Sequence, residues 1–226
     1  MIRRFRSAVP KKVGFPIEAG IHQTTRRESS RDAPPGATPR TDRPVALLLA
    51  VAGGCGYAPV APGTAGSLLG AGLFVAMVFG FSPMLGTGPV LLYVAAALAI
   101  TLFGMGVWAS DAAEEVFGVS DDGRIVVDEV TGQWITLLPL LAFVPLWLDP
   151  TLGPDGIYSF FFWVVTGFVL FRLFDVWKPG VIRWTERRFK GGFGVMIDDA
   201  VAGIHGAAVL FALVWLTGPQ VTEVVS

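Results

Sequence analysis

Long apolar runs separated by short polar connections set the pattern of this chain. No helical or strand period is sustained over residues 1–44. Beyond them, apolar positions fill Thr64–Phe81, Val90–Ala109, about Gln133–Leu148, Ile157–Val176 and Ala200–Thr217. At ~1.5 Å of rise per residue, most of these reach roughly the 30 Å of a bilayer core. The third run is the short one and contains Pro139 and Pro145, so it is expected to be kinked or shielded by its neighbours. Val45–Ala52 is too short to span and is expected to lie in the interface or to dip in and return. Tryptophans 108, 134, 147, 177, 184 and 215 fall mostly at run ends, where an aromatic belt would place them. The pattern predicts an all-α polytopic membrane protein of about five transmembrane helices. A disordered tail over 1–44 precedes a membrane-embedded helical domain over 45–226.

Composition supports the class. The chain of 226 residues is 53% hydrophobic and 15% charged, too apolar for a soluble domain of this length. A single cysteine, Cys55, excludes an internal disulfide framework. The 17 Lys and Arg are segregated: ten lie in the tail, one (Arg124) lies between the second and third runs, and six lie from Arg172 to Lys190. The connections at 82–89 and 149–156 and the C-terminus from Gly218 hold none. With five spans these are alternate sides, so the positive-inside rule expects the N-terminus inside and the C-terminus outside. The basic tail would then rest near anionic headgroups.

That alternation brings the unusual polar clusters to one expected cytoplasmic face. They are Pro62-Gly63-Thr64-Ala65-Gly66-Ser67, then Asp121 to Glu129, then Arg172 to Pro179, then Gly191-Gly192-Phe193-Gly194-Val195-Met196-Ile197-Asp198-Asp199. The last reads as a glycine-rich loop leading to two carboxylates at the mouth of an apolar helix. Paired acids at a membrane boundary are costly unless they bind something, and a hard divalent cation such as Mg²⁺ takes oxygen ligands of this kind. The helix opening with Thr64 and Ser67 offers backbone amides for phosphate oxygens, or alternatively an ordinary cap with glycines for close packing. Arg172 and Lys178 flank Asp175 at three residues either way, which fits an intrahelical ion pair or, for Lys178, a phosphate contact. Asp111, Glu114, Glu115, Asp121 and Asp122 read as a solvated connection, with Asp121 the best outside candidate. His205 reads as a satisfied interior histidine. There is no cysteine phosphatase loop, Walker-type loop or His/Cys metal set.

With these residues the chain resembles the phosphatidylglycerophosphatase A family over roughly 47–215. The likeness rests on Pro59 to Ser67, Asp121 with Gly123 and Ile125, Asp128-Glu129 with Gly132, Arg172 with Asp175 to Pro179, and Gly191 to Asp199. It implies a Mg²⁺-dependent multi-pass phosphatase of the bacterial inner (cytoplasmic) membrane, active at the cytoplasmic face on the lipid phosphatidylglycerophosphate, with no nucleic-acid partner. Asp128, Glu129, Asp175, Asp198 and Asp199, or a subset, would serve as metal and catalytic acids. Thr64, Ser67, Arg172 and Lys178 would hold the phosphate. Direct attack by water and an aspartyl-phosphate route both stay open, because metal ligand and nucleophile are the same residue type. Two other classes share parts of this chemistry. A transporter would place acids at mid-membrane, and a CDP-lipid phosphotransferase would need a denser Asp array.

Overall fold

The computed structural model describes residues 43–86 and 88–217, and over them the chain forms helices and no strand. The α-helices are α1 (Arg43–Ala50), α2 (Pro62–Leu85), α3 (Pro89–Phe117), α4 (Val127–Leu137), α5 (Val144–Trp147), α6 (Pro154–Trp177), α7 (Val181–Arg188) and α8 (Gly191–Thr217). The expected tail falls outside the described residues except for Arg43 and Pro44, which open α1. Four helices, α2, α3, α6 and α8, are long and apolar enough to cross a bilayer.

The run expected to make the fifth crossing is a broken segment. Proline lacks an N–H and its ring excludes the carbonyl four residues back, so Pro139 ends α4. The chain tightens into a 3₁₀ turn over Leu138–Ala142 and resumes as the one-turn α5, which contains Pro145. The segment still connects the two ends of the bundle. At its start, Glu129 lies against Gly63 at the opening of α2. At its end, Trp147 meets Phe160 of α6 at 6.2 Å between ring centroids, and Phe143 meets Phe211 of α8 at 5.9 Å. Phe79, near the end of α2, stacks on Phe161 at this same far end.

α4 is the centre of the packing, touching α2, α3, α6 and α8. Glycines permit the approach. A Cβ at Gly70 would stand 2.7 Å from the Val130 carbonyl oxygen, and one at Gly203 would stand 2.5 Å from that of Gly132. Thr136 uses the proximity, its hydroxyl serving both the Gly132 and Gly203 carbonyl oxygens at 3.0 and 3.2 Å. Toward the far end the core is aromatic and aliphatic, with Phe74, Trp134, Leu137, Leu140 and Phe160 buried together. The Trp134 indole donates to the Ala95 carbonyl at 3.1 Å, tying α4 to α3.

Two boundaries differ from expectation. α3 runs on past Ala109 to Phe117, so Asp111, Glu114 and Glu115 ride on a helix instead of a loop; Gly118, at φ 70°, caps it through the Glu114 carbonyl. α8 begins at Gly191, so the glycine-rich stretch is its first turns and not a loop, and Asp198 and Asp199 sit about two turns in. Hydropathy marks where apolar side chains begin, whereas a helix continues as long as its backbone bonds close. α1 packs its Leu47 and Leu49 with Ala109, Ala113, Ile125 and Met196 at the site end.

Four membrane-length helices, with a broken segment joining the two ends of the bundle, predict a topology. Reporter fusions after Gly123 and Arg188 should report the same side of the membrane, and fusions after Pro83 and Pro154 the other. Opposite reports from Gly123 and Arg188 would mean that the broken segment does not cross.

Candidate metal centre and its cationic rim

The site forms where α2, α4, α6 and α8 meet. At the entry to α4, the Val126 amide donates to the Ala50 carbonyl at 2.9 Å, which fixes the chain just before the helix. Asp128 and Glu129 then fall in the first turn of α4, where the unpaired amides and dipole favour negative charge. On α8, Asp198 and Asp199 point inward and are only 6% and 4% exposed, and Asp128 is 8% exposed. One carboxylate oxygen each from Asp128, Glu129 and Asp199 lies within 4.8 Å of the other two. Asp128 Oδ1, Glu129 Oε2, Asp198 Oδ1 and Asp199 Oδ2 are buried without a hydrogen-bond partner. Buried carboxylates that face each other unpaired are strongly unfavourable. A hard cation that takes several oxygen ligands relieves that cost, so this donor set fits Mg²⁺.

The other two acids already have cations. Arg172 Nη1 pairs with Asp175 at 2.6 Å along α6 and reaches the Ser67 hydroxyl of α2 at 3.4 Å. Lys178 Nζ pairs with Asp198 at 2.7 Å and with Glu186 of α7 at 3.3 Å. Burial would lower the Lys178 pKa, but the hydrogen-bonded Asp198 carboxylate outweighs it, and the amine is raised above its ordinary range. Lys178 therefore stays charged at any physiological pH. Its backbone ends α6 in the left-handed conformation, at φ 44°, and Pro179 prevents the helix from resuming.

The residues read from the sequence thus sort into groups. Asp128, Glu129 and Asp199 come together, while Asp175 is tied to Arg172 and Asp198 to Lys178, both within electrostatic reach of Asp199. Ser67 is fully buried; its hydroxyl donates to the Gly63 carbonyl at 2.9 Å and accepts from Arg172. The Thr64 side chain is half-buried. Gly63 and Gly66 lie against α4, and a Cβ at Gly63 would overlap Glu129 Oε1, so these glycines bring the acid close. His205 Nδ1 bonds the Val201 carbonyl at 2.7 Å and its ring packs near Phe174.

The supposed solvated connection is more organised than the sequence implies. Asp111 Oδ1 accepts from the Gly192 amide and so caps α8 from α3. Glu114 accepts from the Ser120 hydroxyl and the Asp121 amide, and Asp122 grips Arg124 with both oxygens at 2.7 Å. Glu114, Asp121, Glu186, Lys190 and Asp198 line an open cleft of about 160 Å³ beside the centre. Asp111 stands two residues past the apolar run that ends at Ala109, and nothing in that spacing signals its bond to Gly192.

Helices of membrane-crossing length around a cluster of inward-facing carboxylates define an integral membrane protein with an acidic site that could hold a metal ion. Its sequence then places it among known proteins. A family model described as phosphatidylglycerophosphatase A matches residues 48–214. A phosphatidylglycerophosphatase A of Escherichia coli is 39% identical over 73% of this chain and 80% of its own, and one from Haemophilus influenzae is 35% identical over 74% and 86%. A Bacteroides thetaiotaomicron protein with a provisional phosphatidylinositol-3-phosphatase name is 37% identical over 76% of this chain and 95% of its own. No solved structure matches. The chain belongs to the phosphatidylglycerophosphatase A family.

A cation-starved centre predicts a thermal response. Adding Mg²⁺ to EDTA-stripped protein in detergent should raise Tm, with ~2.7 kcal/mol of stabilisation at about a hundred times Kd. Asp128→Asn and Asp199→Asn should lose that shift, and in EDTA should melt above the parent, having shed one unpaired buried charge. A parent Tm indifferent to Mg²⁺ would contradict the assignment.

Proposed function

We propose that this protein hydrolyses the terminal phosphomonoester of phosphatidylglycerophosphate, giving phosphatidylglycerol and orthophosphate, with Mg²⁺ as cofactor and the reaction on the cytoplasmic side of the membrane. The observation that carries the reading is the trio Asp128, Glu129 and Asp199, each with a buried carboxylate oxygen that has no hydrogen-bond partner, in a chain of this family. The orientation rests on the positive-inside rule applied to the described basic residues, of which Arg172 and Lys178 stand beside the trio and Arg183 to Lys190 follow in the connection at the same end.

Asp128, Glu129 and Asp199 would hold Mg²⁺, with Asp175 and Asp198 as further ligands when their cations turn to substrate. When bound, the ion supplies charge neutralisation at the phosphate and a water of lowered pKa. The remaining work belongs to the side chains. Arg172 has five N–H donors, and its contacts to Asp175 and Ser67 both run through Nη1, so the rest of the fork would take phosphate oxygens. Lys178 adds a fixed positive charge beside Asp198, and Thr64 adds a hydroxyl at the start of α2. Ser67 acts through Arg172, holding the guanidinium in place.

The lipid body of the substrate has a surface to lie against. Phe162, Val165, Val169, Leu173 and Val176 are exposed and recur at helical spacing along α6, leading to the site end. Acyl chains can remain in the bilayer there while the headgroup turns inward. That remote binding energy positions the ester, and a water-soluble phosphate lacks it.

Phosphate release should therefore be fastest with phosphatidylglycerophosphate in mixed micelles and much slower with glycerol 3-phosphate at matched Mg²⁺. Phosphatidic acid and phosphatidylinositol 3-phosphate complete the panel. Asp128→Asn and Asp199→Asn should each lower kcat by about a hundredfold or more, the usual scale for losing a preorganised charge-stabilising group. Equal turnover of glycerol 3-phosphate and the lipid, or full activity in both variants, would refute the reading.

A further inference from the structure

We propose that α7 is an anionic-lipid docking helix, binding phosphatidylglycerol-type headgroups through Arg183 and Arg187 with Trp184 set between them at the membrane surface. This goes beyond the reaction and does not depend on it.

The position of α7 follows from its neighbours. The chain leaves one membrane-length helix at Trp177 and enters the next at Gly191, so α7 is held on a short tether at the end of the bundle. Its rotation is fixed by burial. Ile182 is fully buried against Phe171 and Ala202, and Thr185 is buried beside it, its hydroxyl donating to the Ile182 carbonyl. At 100° per residue these two define the inward face, and Arg183, Trp184 and Arg187 fall on the opposite side. All three are exposed, Trp184 at 58%.

The chemistry of that outward face is unusual for a protein surface facing only water. The one acid of α7, Glu186, is turned to Lys178. Arg183 and Arg187 make no ion pair with another described residue. Around them stand the exposed Val181 and Trp177, the latter at 63%, and Arg188, whose guanidinium lies 5.9 Å from the Phe189 ring centre. Large apolar rings beside unpaired guanidiniums match the headgroup layer, where indoles sit at the boundary and arginines bind phosphate oxygens. The charge complement is an anionic phospholipid, each basic residue near such a surface adding about five-fold to its local enrichment at low salt. Glu186 and Phe189 also line the cleft beside Asp198, so docking α7 holds the mouth of the site at headgroup depth.

The test uses the full chain in phosphatidylcholine nanodiscs carrying an equal mole fraction of either phosphatidylglycerol or phosphatidylcholine brominated near the acyl carbonyl. The fluorescence of Trp184 is taken as the difference between the parent and Trp184→Phe. The proposal expects several-fold stronger quenching of that component by the brominated phosphatidylglycerol. The preference should disappear at about 1 M salt, where the screening length is ~3 Å. It should vanish in Arg183→Gln/Arg187→Gln and persist in Arg183→Lys/Arg187→Lys. Equal quenching of the parent by both lipids, or no quenching of the Trp184 component by either, would overturn the proposal whatever the variants do.

Discussion

Carboxylates crowded together away from water are the constraint around which this molecule is built. Asp128, Glu129 and Asp199 each bring a carboxylate oxygen within 4.8 Å of the other two, and each ion so buried costs several kcal/mol before their mutual repulsion is added. The bundle holds them there through backbone contact. Gly132 and Gly203 let α4 and α8 touch almost main chain to main chain, Gly66 and Gly70 bring α2 against the backbone of Val126 and Val130, and Gly63 leaves room for the Glu129 carboxylate. A methyl group at Gly66, Gly70, Gly132 or Gly203 would press on the backbone of the neighbouring segment, and one at Gly63 would displace the Glu129 carboxylate. Stability is thereby given up at one end of the bundle, while the aromatic and aliphatic core at the other end, built on Phe74, Trp134, Leu137 and Phe160, secures the fold.

The electrostatic arrangement is graded and not uniform. Two of the five acids are neutralised on the spot, Asp175 by Arg172 and Asp198 by Lys178, and three are left open. On the proposed reading, such a set would draw a divalent ion to the open trio and keep two cations at the rim for an incoming dianion. The same cations tie the helices together: Arg172 reaches from α6 to Ser67 of α2, and Lys178 links the end of α6 to α7 and α8. A phosphate that drew either cation would therefore be felt by the neighbouring helices as well.

Much of this was legible in the sequence, for identifiable reasons. Long apolar runs located the four membrane-length helices, and the paired prolines at 139 and 145 foretold the break in the fifth segment. The acids were visible because charged residues are rare at the edges of such runs. Helix ends were less legible, since the first turns of α8 are glycines and the last turns of α3 are acidic, compositions that resemble loops. Gly63 and Gly66 read as packing glycines ahead of a phosphate cradle, and in the fold they lie against the start of α4 and Glu129. Long-range partnerships left no trace in one sequence. Nothing in spacing alone joins Asp111 to Gly192 or Glu186 to Lys178.

The central claim is that the open trio is where a divalent ion sits. Mn²⁺ occupies the same oxygen-rich sites as Mg²⁺ and scatters anomalously, so diffraction from crystals grown with Mn²⁺ addresses the claim without an assay. The account predicts an anomalous peak in direct contact with Asp128, Glu129 and Asp199. A peak in the cleft among Glu114, Asp121 and Glu186, with none at the trio, would contradict it.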